Sequence, residues 1–137
     1  VVCLSTLEHV GLDNTRLYTS DQTKKEADAS AYLEAVRELR RVLSPGGWAF
    51  ISVPYGRRDV RDWLQVFDAE MVSALVSAFS PSTHAVTFFQ YSDPEGWQLS
   101  TEVAARDAVY FDYYRDTPWP GCPAAAGAVA CIELRKP

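Results

Sequence analysis

The sequence predicts an α/β fold, and three observations carry that prediction. Residues 28–56 read as helix, tight turn and strand, the chain opens on an apolar run that turns abruptly polar, and residues 128–134 form a late apolar run. Asp28 is placed to cap the helix, since its carboxylate can accept from first-turn N–H groups that have no other partner. Ala29, Leu33, Val36, Leu39 and Leu43 recur at helical spacing, with Glu34, Arg37, Glu38, Arg40 and Arg41 on the other faces. Ser44-Pro45-Gly46-Gly47 stops the helix, because proline cannot continue it and glycine is free to take positive φ. Residues 48–53, WAFISV, are apolar on both faces except at Ser52, which predicts a strand covered on both sides.

The opening residues Val1-Val2-Cys3-Leu4 supply a first strand, and residues 5–11 a polar loop. Strand, loop, helix and strand together make a βαβ crossover. Ligands of open α/β sheets bind beyond the carboxyl ends of the strands, so residues 5–9 and 54–57 share the rim where chemistry is expected. Downstream, Asp68 is a cap for a helix over 67–79, with Phe67 placed to staple onto Val72 and with Val72, Leu75, Val76 and Phe79 on its buried face. Ser80-Pro81-Ser82 breaks that helix. Residues 84–91 are β-branched and aromatic and predict a strand. Asp93-Pro94-Glu95-Gly96 is a turn, and residues 110–114 hold four aromatics in five positions.

Composition narrows the class. The 137 residues suffice for one domain with a core, and 47% hydrophobic with 12% aromatic content excludes a disordered or collagen-like chain. A net charge of −5 argues against a nucleic-acid partner, since phosphate contacts need clustered Lys or Arg. The Arg57-Arg58-Asp59-Val60-Arg61 cluster is diluted by Asp59 and Asp62 and reads as a solvated loop. No apolar run reaches the length of a membrane span, so no membrane partner is expected. Cys3, Cys122 and Cys131 fit no metal-ligand spacing and leave one unpaired in any disulfide scheme, and Cys3 and Cys131, inside predicted strands, read as reduced, cytoplasmic core positions.

VVCLSTLEHVG, followed by a helix ending in RELRRVLSPGGWAFISVPYG, resembles the second half of a class I S-adenosylmethionine-dependent methyltransferase. The first string is similar to that family's fourth strand and loop, and the second to the helix and fifth strand after it. Residues 84–91 would then be the sixth strand and residues 127–134 the seventh, while 11–27 and 97–123 read as insertions. The resemblance implies a partial Rossmann-like methyltransferase sheet, mostly parallel with an antiparallel carboxyl-terminal strand, helices packed on it, and S-adenosylmethionine as cofactor. Leu4, Ser5 and Thr6 would approach its methionine and sulfonium, mainly through backbone groups.

Methyl transfer is an in-line displacement, so the protein mainly positions two reactants, and a base is needed only where the acceptor must lose a proton. His9 is the candidate base, because histidine as a residue type titrates near neutral pH and this one sits in the rim loop; the competing reading is a histidine that braces the loop. Glu8 is the second catalytic candidate, able to bond the cofactor or acceptor or to cap the short turn. Tyr55 and Trp97 are candidates for the acceptor pocket, with the 110–114 aromatics as a further apolar wall or a packed satellite core. His84 reads as structural.

The family's first strand, glycine-rich turn and second-strand acidic residue have no counterpart in the sequence. The expectation is therefore a fragment, residues 1–137 forming the carboxyl-terminal half of one domain, inactive alone, with a small-molecule or saccharide-type methyl acceptor. The edge at residues 1–4 is then expected to self-associate or to take the missing amino-terminal segment. The alternative is a non-catalytic binding or assembly module that has lost its cofactor site. A nicotinamide-dependent Rossmann enzyme is disfavoured, as no Tyr-x-x-x-Lys pair occurs.

Overall fold

The computed structural model describes residues 1–123 and 125–137. Its strands are β1 (Val2–Leu4), β2 (Trp48–Pro54), β3 (Asp59–Val60), β4 (Gln65–Val66), β5 (Thr83–Ser92), β6 (Gly96–Ser100) and β7 (Ala128–Arg135). Its α-helices are α1 (Thr15–Tyr18), α2 (Tyr32–Val42), α3 (Ala69–Phe79) and α4 (Glu102–Ala105), with 3-10 turns at Leu7–His9 and Gln22–Lys24. Five strands form one sheet in the order β1-β2-β7-β5-β6, and β3 and β4 form a separate hairpin.

The fold class is α/β with a mixed sheet. β1 and β2 pair in parallel, whereas β2 with β7, β7 with β5 and β5 with β6 are antiparallel. The expected mostly parallel sheet is corrected on this point. β7 returns between β2 and β5 and so makes both of its pairings antiparallel, and β6 adds a hairpin strand from a segment read as an insertion. The expectation of an antiparallel carboxyl-terminal strand holds, as β7 is that strand.

The core lies on one face. Ala49, Ile51 and Val53 of β2, with Ala130, Ile132 and Leu134 of β7, pack against Tyr32 and Val36 of α2 and Met71, Val72, Leu75 and Phe79 of α3. Burying each of the larger aliphatic or aromatic side chains contributes about 1.5–3 kcal/mol. The other face of β1 and β2 stays open, contrary to the two-sided covering expected for residues 48–53. Side chains alternate along a strand, and Val2 is 66% exposed, Leu4 61%, with Trp48 and Phe50 also exposed. These four share that face through the register Val2 with Phe50 and its two-residue repeat.

Helix ends follow local chemistry. α2 starts at Tyr32 rather than directly after Asp28, because the Asp28 carboxylate accepts from the Ser30 backbone N–H and hydroxyl and closes a turn first. Asp68 does cap α3, accepting the Met71 N–H at 2.8 Å.

Candidate functional site

The carboxyl end of β1 is shaped by a sharp bend. Ser5 takes φ 45°, a left-handed conformation rare for serine. The bend is held by Ser5 N–H donating to the Ser52 carbonyl on β2, and by the Thr6 hydroxyl donating to the Leu4 carbonyl at 2.9 Å. The chain then drops Leu7 into the core and turns through Glu8 and His9. Gly11 closes the loop at φ 78°, where an added Cβ would lie 2.1 Å from the Asp28 carbonyl oxygen. That close approach explains the glycine of the EHVG string.

His9 is fixed from two sides. Its Nδ1 lies 2.7 Å from the Trp63 carbonyl oxygen, and its ring stacks on the Trp63 ring with centroids 5.3 Å apart. A carbonyl only accepts, so Nδ1 carries the hydrogen and a neutral ring keeps its lone pair on Nε2. That nitrogen is 3.9 Å from Glu8 Oε1. Glu8 is 4% exposed, and its other oxygen, Oε2, is buried with no hydrogen-bond partner. Burial pushes the Glu8 carboxyl above the usual carboxylate range, against opposing pulls from a backbone hydrogen bond and the neighbouring His9.

Both side chains line a cavity of about 190 Å³, together with Ser5, Pro54, Trp63, Leu64 and Tyr110. Burial also raises the Tyr110 phenol, with Asp112 and Glu8 adding to the effect. A second, more open concavity of about 390 Å³ adjoins it, lined by Ser5, Thr6, His9, Asn14, Tyr18 and Glu26. Ser5 and His9 belong to both and form the divide between them.

Tyr110 is held in place by Arg61. The guanidinium sits 5.4 Å from the Tyr110 ring centroid, donates to the Tyr110 carbonyl, and pairs with Asp59, Asp112 and Asp116. The basic cluster read as a solvated loop thus contains one largely buried clasp, with Arg61 its working member.

The structure brings Leu4, Ser5, Thr6, Glu8 and His9 together at one rim. Tyr55 and Trp97 lie elsewhere. Pro54 faces the Glu8 cavity, but Tyr55, one residue on, is buried on the opposite side, where it lines a groove between α3 and β5 with its hydroxyl unpartnered. Trp97 is 48% exposed on β6, at the far edge of the sheet, against Tyr91. His84 lines the α3 groove with Tyr55. Sequence reasoning missed Trp63 and Arg61. Trp63 carried a signal, a lone tryptophan set among charged loop residues, whereas Arg61 was masked by its acidic neighbours.

Cys3, Cys122 and Cys131 are free thiols, and among the described residues no cluster of His, Cys, Asp and Glu could hold a metal ion. No helix among them is long and apolar enough to cross a membrane. Compared with protein-family models, with curated proteins and with solved structures, the chain gives no match.

Proposed function

We propose that the chain is the carboxyl-terminal half of a Rossmann-like, S-adenosylmethionine-dependent methyltransferase domain, acting on a small-molecule acceptor. The observation that carries this reading is the convergence of Ser5, Glu8, His9 and Pro54 on one cavity beyond the carboxyl ends of the parallel strands β1 and β2. Ligands of α/β sheets gather at that place. The antiparallel β7 and the open edge of β1 agree with the same reading.

The residues present fit one end of the cofactor. The bend at Ser5 and the concavity beside Thr6, Asn14 and Tyr18 form a cradle, and Leu4, Ser5 and Thr6 would hold the methionine portion through backbone groups. When bound, the cofactor supplies an electrophilic methyl group on a sulfonium. The chain's own contribution is positional and acid–base. Trp63 holds the His9 ring so that Nε2 is the free base, and that nitrogen can take the proton an acceptor hydroxyl loses. The carboxylate of Glu8 stabilises the imidazolium that results. The burial of Glu8 keeps bulk water from competing for the same atoms.

Hydrogen exchange of the chain with S-adenosylhomocysteine at millimolar concentration tests this. The expected result is added protection confined to residues 4–10, with affinity no tighter than about 0.1–1 mM, a few kcal/mol of binding free energy. Protection on the α3 groove, or low-micromolar affinity, would contradict a half-site at Ser5.

A further inference from the structure

The free edge of β1 has a hydrogen-bonding pattern that matches a second copy of itself. Val1 C=O accepts the Phe50 N–H at 2.9 Å and Ser5 N–H donates to the Ser52 carbonyl at 3.1 Å, so the odd-numbered residues turn their backbone groups to β2. Backbone groups alternate sides along a strand as side chains alternate faces. Val2 and Leu4 therefore direct theirs away from β2, where no other strand among the described residues lies. The Leu4 carbonyl accepts the Thr6 hydroxyl at 2.9 Å, which leaves it a second lone pair. The bend at Ser5 then ends the strand, so Val2 and Leu4 are the whole of the outward edge.

Three constraints fix how such an edge pairs. Val2 and Leu4 both find partners only when each lies opposite the other in a second copy, which makes the strands antiparallel about a two-fold axis at Cys3. A register centred on Val2 or Leu4 would join one residue to itself and carry the other past the end of the strand. An axis perpendicular to the sheet also keeps like faces together. Val2 and Leu4, 66% and 61% exposed, then meet across the seam and join Trp48 and Phe50 of both copies in one apolar strip. An axis along the strands would instead set this open face beside the helix-covered one. On the covered side, α2 packs on the turn that follows β1. Its exposed Glu34, Arg37, Glu38 and Arg41 read the same from either end with signs exchanged. The two-fold thus brings each carboxylate level with a guanidinium, and like charges do not oppose the approach.

We infer that the chain forms a two-fold dimer through β1, in which Val2 of each copy pairs with Leu4 of the other and the two Cys3 residues face each other across the axis. Two five-stranded sheets thereby become one. The inference concerns the 137-residue chain itself and does not rest on the methyltransferase reading.

Cys3 reports the register. Opposed residues of a non-hydrogen-bonded antiparallel pair have Cα atoms about 4.5 Å apart, inside the ~4.4–6.8 Å that a disulfide spans. The test oxidises a chain whose other thiols are removed, Cys122→Ser with Cys131→Ala, using diamide, which takes up two hydrogens as two thiols become one disulfide. Mild alkali is used because burial pushes the Cys3 thiol up. Covalent dimer should form about tenfold faster or more than from the same chain in denaturant. It should also form about tenfold faster or more than from Leu4→Cys with Cys3→Ser in the same background, since that thiol lies two residues out of register with its own copy and beyond disulfide reach. Val2→Pro removes the outward N–H and leaves the β1–β2 ladder intact, so the faster reaction should be lost while the helical circular dichroism is unchanged. A chain that stays monomeric in diamide, equal rates for native and denatured chain, faster linkage through Leu4→Cys, or undiminished linkage of a folded Val2→Pro would each overturn the assignment. None of these outcomes involves the cavity at Glu8, so failure here and failure of the methyltransferase reading are separable.

Discussion

At the scale of single residues, Glu8 and His9 stand side by side, with His9 Nε2 3.9 Å from Glu8 Oε1. Glu8 holds its proton more tightly in the folded chain than when exposed, because burial disfavours the ionised form. As pH rises the unfolded chain ionises this group first, so its contribution to stability falls between the ordinary carboxyl range and the raised folded value. In Glu8→Gln that decline is absent, and the stability difference should move in the variant's favour across that window. Chemical denaturation of both proteins at closely spaced pH values checks this, and parallel curves would remove Glu8 from the account. His9→Ala deletes one hydrogen bond and one ring stack, which together should cost about 1–3 kcal/mol. If the methyltransferase reading proposed above holds, the same change should also lower turnover of an active protein containing this chain by about two to four orders of magnitude. Turnover within a few-fold of the parent would leave His9 with only its bracing role.

At the scale of elements, the loop after β1 depends on backbone geometry more than on side-chain identity. Gly11→Ala forces a side chain into a positive-φ site already filled by the Asp28 carbonyl and Ala31. It should destabilise the protein by at least about 1–3 kcal/mol, read from the denaturant midpoint. The 57–64 and 110–116 segments depend instead on charge. Arg61→Ala leaves Asp112, only 2% exposed, with Arg115 at 3.9 Å as its remaining cation, and should cost about 1–3 kcal/mol while loosening Tyr110 from the cavity wall; a shift in the Tyr110 ring resonances reports the second effect. These elements also show what a linear reading could reach. The α3 cap, the stop at Pro45-Gly46 and the strand at β2 follow from local rules, and the structure keeps them. The rim loop was legible because strand, polar loop, helix and strand imply where the loop must lie. Tyr55 lies away from the Glu8 cavity because side chains alternate at the strand end, so a rim position by number is a core position by direction. Arg61 was misjudged because its partners Asp112 and Asp116 lie some fifty residues away and no local pattern announces them.

At the scale of the whole molecule, one face of the sheet is finished and the other is not. α2 and α3 close the first, while Val2, Leu4, Trp48 and Phe50 leave the second apolar and exposed. Among the described residues β1 pairs on one side only, with β2. Its opposite edge carries no lysine, proline or bulge, and the open face beside it offers area to whatever pairs there. The expected two-sided burial of residues 48–53 identified an apolar strand but not what covers it, because composition records a need for burial and not the element that meets it. The central claim, that this edge and face complete a larger sheet, is tested most directly by sedimentation velocity across a wide concentration range. The chain should associate reversibly, and Val2→Lys with Phe50→Lys should return it to a folded monomer. A stable monomer of the unchanged chain at high concentration would contradict the claim.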